Sequence, residues 1–185
     1  MFSYNMQNRP EFHRRVLTSA WRYYWKSLSG LAYRFDLIDI NFVHMPWISS
    51  TFKSNYLDDT TYRNAILKYN YEDLFIVKTG INVSYNTNNQ AFRTNIEVGG
   101  NVLNAISHIT KANKNSDGQY TLFKIAYAQY VKGDFDYTHL LQLDVKNQLA
   151  LHFGLGIAYP YGNSNILPFE KRYFSGGANS VRGWN

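Results

Sequence analysis

The chain has no cysteine among its 185 residues. Disulfide frameworks, thiolate metal sites and cysteine nucleophiles are thereby excluded. Charge is scarce as well: Asp, Glu, Lys and Arg make up 17%, where a soluble domain carries about 25%. Acidic residues are the rarer sign, 13 against 19 Lys and Arg, leaving a formal charge of +6. That surplus is dispersed and no binding motif accompanies it, so no nucleic-acid partner is expected. No run approaches the ~18 apolar residues that a spanning helix needs, and mean hydropathy is −0.40. Met1-Phe2-Ser3-Tyr4-Asn5-Met6 shows no basic start and no apolar core, so no signal peptide is read there. No Ser–His–Asp set, phosphate-binding loop or paired-carboxylate site has support. The chain reads as a non-enzyme without cofactor or metal.

Aromatic residues are abundant: 16 Tyr, 12 Phe and 4 Trp. A tyrosine-rich, charge-poor chain of neutral hydropathy fits a transmembrane β-barrel, whose strands hide apolarity by alternation. Secreted β-sandwiches and carbohydrate-binding modules also run aromatic, so the pattern along the chain has to decide.

Period two is clearest from Glu72 to Asn86. Phe75, Val77, Thr79, Ile81, Val83 and Tyr85 share one parity, and Lys78, Gly80, Asn82 and Ser84 the other. From Gln148 to Tyr161, Leu149, Leu151, Phe153, Leu155, Ile157 and Tyr159 oppose Ala150, His152, Gly154, Gly156 and Ala158. Four weaker strands are predicted over Arg14–Lys26, Arg34–His44, Ala91–Gly100 and Tyr130–Leu143. Their connectors alternate. Ser27–Tyr33, Thr87–Gln90 and Asp144–Asn147 are short; Met45–Tyr71, Asn101–Gln129 and the stretch from Gly162 onward are long. Short turns at one end and long loops at the other describe an outer-membrane barrel. Two stretches within the long links, Asp58–Tyr69 and Asn101–Ile109, have helical character, and Lys111–Gly118 is a polar loop.

A barrel also explains the two faces. Trp21, Trp25, Phe75, Tyr85, Tyr159 and Tyr161 lie near strand ends on the apolar face, as an interfacial girdle would. Lys78, Arg93, Glu97, Lys132, Asp134 and Asp136 suit a water-filled lumen. Asp134 and Asp136 with His139 suggest a metal only until parity is considered, because His139 points the opposite way; polar lumen lining is the reading adopted. His13, His44, His108 and His152 lack ligand spacing. Lys53, Lys111 and Lys114 read as solvated loop charge. Gly154 and Gly156 either make room for an incoming loop or ease strand curvature.

The last stretch carries a specific string: Pro168-Phe169, then Phe174-Ser175-Gly176-Gly177, then Val181-Arg182-Gly183-Trp184. In order and spacing it resembles the hallmark loop of the BamA/TamA superfamily of outer-membrane assembly barrels. With Tyr127–Asp134 and Met45-Pro46-Trp47-Ile48 upstream, the chain is most similar to TamA-like (TamL) members. The resemblance implies a sixteen-stranded barrel in which this loop, the sixth external one, follows the eleventh strand and folds into the lumen. The six predicted strands would then be strands six to eleven. Residues 1–185 would be part of one C-terminal barrel domain, with the periplasmic POTRA repeats and the remaining strands outside the sequence.

The resemblance further implies localisation in the outer membrane of a Gram-negative-type bacterium, with lipid, unfolded outer-membrane proteins and a periplasm-spanning protein as partners. Its function would be non-enzymatic insertion or translocation of proteins. A two-partner secretion pore and a passive channel are the alternatives. Physically, Gly176-Gly177 lets the loop bend sharply, Pro168 stiffens its descent, and Arg182 offers a planar fork to a carboxylate. The family places the main acidic partner beyond Asn185; within this sequence Asp134 and Asp136 are the candidates. A six-stranded piece alone, with two open edges and an apolar outer face, is expected to require detergent.

Overall fold

The computed structural model describes residues 1–58, 71, 73–110, 113–115, 118–122 and 125–173. In chain order its elements are β1 (Phe2–Asn8), β2 (Phe12–Lys26), β3 (Ala32–Ile48), a single helical turn α1 (Ser50–Phe52) widening over Lys53–Leu57, β4 (Leu74–Asn86), β5 (Gln90–Gly99), α2 (Asn101–Thr110), β6 (Thr121–Leu122), β7 (Ile125–Ala126), β8 (Tyr130–Gln142), β9 (Gln148–Pro160) and a 3-10 turn (Phe169–Lys171). The main sheet is antiparallel in the order β1-β2-β3-β4-β5-β8-β9, and β6–β7 is a separate hairpin inside the β5–β8 connection. The chain is therefore all-β, the meander that a barrel wall requires. No helix among the described residues is long and apolar enough to cross a membrane.

Seven strands stand where the spacing predicts six. The additional strand is β1, in which Phe2, Tyr4 and Met6 alternate with Ser3, Asn5 and Gln7. It turns into β2 through Arg9-Pro10-Glu11, so one connection at the long-loop end is short. β3 runs beyond its predicted limit through Pro46 to Ile48. There it pairs only with β2, because its pairing with β4 extends no further than Val43↔Leu74. Pro46 lies in this once-paired stretch, where a residue without an N–H is tolerated.

The outer face is apolar and begins, at the short-turn end, with an aromatic row. Trp25 stacks on Tyr33 with ring centroids 5.2 Å apart, Tyr85 lies 5.9 Å from Phe92, and Phe92 pairs across to Tyr137 and Tyr137 to Phe153. Trp21, Trp25 and Tyr159 are exposed on this face. Two expected girdle members have other roles. Phe75 is on the outer face but only 8% exposed, sealed in a cluster with Val77, Leu103 of α2, Ile125 and Tyr127. The Tyr161 hydroxyl is drawn to Asn101 Oδ1 at 2.7 Å. Period two gives the face of a residue but not what folds over it.

A bulge at Leu37 sets the inner face. Trp21 pairs with Ile38 and Arg22 with Asp36, so Leu37 has no partner in β2. On the other side, Asp36 pairs with Gly80 and Asp39 with Lys78. Strict alternation would put Asp36 and Asp39 on opposite faces. The extra residue turns both inward, where both are buried.

Between β5 and β8 the chain returns over the wall. Gly100, at φ +80°, turns the end of β5 into α2, and a Cβ there would collide with the Ala128 carbonyl. The spacing predicts this helix over Asn101–Ile109, and the described residues form it over Asn101–Thr110. After β7, Ala128 N–H donates to the Phe75 carbonyl, continuing the sheet above β5. The expected helix over Asp58–Tyr69 lies, from residue 59, outside the described residues.

Candidate functional site

The loop that follows β9 is held at three levels, first by the β5–β8 connection and then twice by the inner wall. The first is its entry. Gly162 has φ +59°, and a Cβ there would collide with Gln129 Oε1. This lets Asn163 sink until it is 7% exposed. Its backbone N–H donates to Gln129 Oε1 at 2.9 Å, and its Oδ1 accepts the Tyr120 N–H at 2.6 Å. Its Nδ2 donates to the carbonyls of Tyr120 and Tyr127, at 3.0 and 3.1 Å. Ser164 Oγ accepts the Gln129 N–H at 2.8 Å. One asparagine side chain thus joins two chain segments through otherwise unmatched backbone groups. Asn163→Ala is expected to cost about 2 kcal/mol, since a buried N–H and two carbonyls lose their partner. A fall in the urea midpoint checks it; an unchanged midpoint would show that water replaces the amide.

The second level is ionic. Asp36 Oδ1 lies 3.3 Å from Arg34 Nε and 3.2 Å from Arg22 Nε. Arg22 Nη2 reaches Asp39 Oδ2 at 2.6 Å, and Lys78 Nζ stands 3.9 Å from the same oxygen. Lys78 then bonds Glu97 Oε2 at 2.8 Å, and Lys171, from the loop, bonds Glu97 Oε1 at 2.9 Å. Tyr130 OH donates to Glu97 as well, at 3.1 Å. The ribbon therefore crosses β2, β3, β4 and β5 and ends on the loop. Burial pushes the Lys171 ammonium below the ordinary lysine range against the pull of Glu97, and Lys78 adds to that push. Beside it, Glu170 bonds Arg14 at 3.2 Å and Asn41 at 2.9 Å. Leu167 packs on Ile76, Ala128 and Tyr130.

The third level is a socket for Tyr173. Its ring lies 4.1 Å from Lys132 Nζ. Its hydroxyl is 3.0 Å from the Gly133 carbonyl and donates to Asp134 Oδ1. The floor is Gly156, where a Cβ would fall 2.5 Å from the ring. Of the two readings of this glycine, room for the loop is therefore the one observed. At Gly154 the nearest atom to such a Cβ is Asp136 Oδ1 at 3.4 Å, and the loop is not among its neighbours.

Partial desolvation of the half-exposed side chain, then the hydrogen bond to the Asp134 carboxylate, raise the Tyr173 phenol above its ordinary value. A raised phenol pKa means that docking keeps the neutral form. Docking is at full strength below pH ~10, the value of a free tyrosine, and weakens as pH rises through the higher docked value. Difference titration of the protein against Tyr173→Phe should show one phenol ionising above the ordinary range. Ionisation near pH ~10 would mean the socket is not occupied.

Of the residues singled out in the sequence, Pro168 opens the 3-10 turn and its carbonyl accepts the Lys171 N–H at 2.9 Å; the Phe169 backbone lies in that turn. Phe174, Gly176, Gly177, Val181, Arg182, Gly183 and Trp184 lie outside the described residues, so the expected Arg182 pairing is not placed. Asp134 holds Asn95 Nδ2 at 3.2 Å and Tyr173. Asp136 faces His152 at 3.5 Å. His139 stacks on Tyr137 on the outer face, as its parity requires. Lys53 lies in the widened turn after α1, Lys114 stands over the Tyr120 ring, and Lys111 is outside the described residues. Asn163, Lys171 and Tyr173 are residues that spacing does not single out.

The Omp85 superfamily domain matches residues 38–185, from within β3 through the loop. No curated protein and no solved structure matches the chain.

Proposed function

The chain belongs to the Omp85 superfamily of outer-membrane proteins that insert or translocate other proteins, and we propose that it is part of the wall of a BamA/TamA-type assembly barrel of the TamL kind. On this reading residues 1–185 belong to one C-terminal barrel domain. Counting back from the loop, the seven strands are strands five to eleven. Unfolded outer-membrane proteins are the substrates, lipid surrounds the outer face, and a periplasm-spanning protein is a partner. The mechanism uses no enzyme chemistry. The Val181-Arg182-Gly183-Trp184 loop plugs and braces the lumen, and substrate strands add at an open seam of the barrel.

The observation that supports this is the seat of the loop. Glu170, Lys171 and Tyr173 dock its first stretch to the inner wall through ion pairs and a fitted ring. Lys171 is the terminal cation of its ribbon: Glu97 keeps Lys78 and Tyr130 when the loop leaves. The contact can therefore be released without stranding a charge in the wall.

Depletion of the full-length protein in its own cells tests the reading. Outer-membrane barrels should be lost from the membrane fraction while export of soluble passengers continues. Loss of one secreted passenger, with barrel proteins intact, would assign the chain to two-partner secretion. Loss of small-solute permeability alone would make it a channel.

A further inference from the structure

The helix α2 has its polarity turned the wrong way for water. Val102, Ile106 and Ile109 form one stripe at i, i+4 and i+7, and they are 44%, 42% and 82% exposed. Asn104 and Ser107 turn toward the protein, and the exposed Asn101 and His108 touch it from the flank. Asn101 accepts from Gln129 Nε2 at 2.9 Å and from the Tyr161 hydroxyl. Asn104 accepts from Tyr127 OH at 3.1 Å, and the His108 ring stands edge-on to Tyr120 at 5.1 Å. Leu103, beneath the helix, joins the cluster of Phe75 and Val77 on the outer face of the wall. A surface helix in water shows its polar side outward; this one shows its apolar side.

Its height on the wall identifies what covers it. Gly99 pairs with Tyr130 and Tyr130 with Pro160, so α2 leaves the sheet beside Val131 and Tyr159. On β9 the exposed apolar row runs from Leu149 to Tyr159. At a barrel strand's rise and tilt that row spans about 25 Å, the height of a lipid-facing band. Tyr159 then marks the external edge of the band, and the stripe of α2 continues the band around that edge. Beyond it Lys114 sits over the Tyr120 ring at 4.6 Å, a cation at headgroup level.

We propose that α2 is an interfacial anchor: it lies along the external leaflet with Val102, Ile106 and Ile109 in the acyl-chain boundary, and it clamps the β5–β8 loop to the membrane surface. The occupant of this face is lipid. The inference rests on the outer-membrane reading above.

Residues 1–185 hold no cysteine, so once any cysteine elsewhere in the full-length protein is replaced by serine, single substitutions place a fluorophore at one site, with the protein reconstituted in phosphatidylcholine vesicles. Ile106→Cys and Ile109→Cys report on α2. Ile157→Cys reports on the wall, and Val145→Cys, in the exposed β8–β9 turn, on water. Lipids brominated near the headgroup should quench the labels at 106, 109 and 157 several-fold more than the label at 145, and aqueous iodide should do the reverse. Labels at 106 and 109 that follow the one at 145 would overturn the anchor. Labels shielded from both quenchers would overturn it too, and would show protein on this face. If the label at 157 also escapes the lipid quencher, the membrane reading fails with it.

Discussion

Glu97→Gln is expected to destabilise the folded protein by about 3 kcal/mol, the scale of a buried ion pair that loses one partner. The glutamate side chain is 8% exposed and lies between Lys78 at 2.8 Å and Lys171 at 2.9 Å. Without its charge two ammonium groups share the site, and the nearest remaining carboxylate, Asp39, is 3.9 Å from Lys78. Lys78 is fixed in β4, but Lys171 can leave with the loop. Two signals are therefore expected together: a lower urea midpoint, and new tryptic cleavage after Lys171 in the folded protein. Lys171→Met alone should be mild, because Glu97 keeps Lys78 and Tyr130. The double variant Glu97→Gln with Lys171→Met should lose less than the sum of the two single changes, since Lys171 no longer has a charged partner to lose. Strictly additive effects would show that the loop and the wall are not coupled through this carboxylate.

The two sides of that ribbon were unequally legible in the sequence. Lys78, Glu97 and Lys132 could be assigned to the lumen because they sit opposite apolar residues at period two, a signal local to each strand. Asp36 could not. Its orientation depends on the bulge at Leu37, and one unpaired residue reverses parity on either side of it. The partners were hidden for a related reason: Arg22, Asp39, Lys78 and Glu97 meet only once the register of four strands is fixed. α2 was legible as a helix from its own spacing, but not that it folds onto Phe75 and Val77. In the loop, Lys171 and Tyr173 occupy the interval between the hallmark elements and read as spacers. Asn163 is one of many asparagines in polar connectors, and nothing local distinguishes one that satisfies the backbone of two segments. The one usable signal was Gly156, a gap among small residues facing the lumen. Its meaning depended on what came to fill it.

Filling that gap displaces the loop from the wall. Gly156→Val should expel Tyr173 from its socket, at a cost of about 1 kcal/mol, the lower range for overpacking, because the ring is 47% exposed and can swing outward. Even a methyl group at this position would lie 2.5 Å from the phenol ring, and the β9 backbone that carries it is paired to β8. The ring has to move, and with it go the contacts to Lys132, Gly133 and Asp134. Gly154→Ala, two residues away on the same face, meets its closest neighbour at 3.4 Å and should be nearly silent. Valine favours strands, so backbone propensity acts against the expected loss and cannot cause it. Tyr173→Ala makes the space that Gly156→Val needs. The double variant should therefore match Tyr173→Ala alone in urea midpoint and in tryptic cleavage after Arg172, a non-additive result that isolates the contact. If the two penalties simply summed, Gly156 would be required by strand geometry, and the ring above it would be incidental.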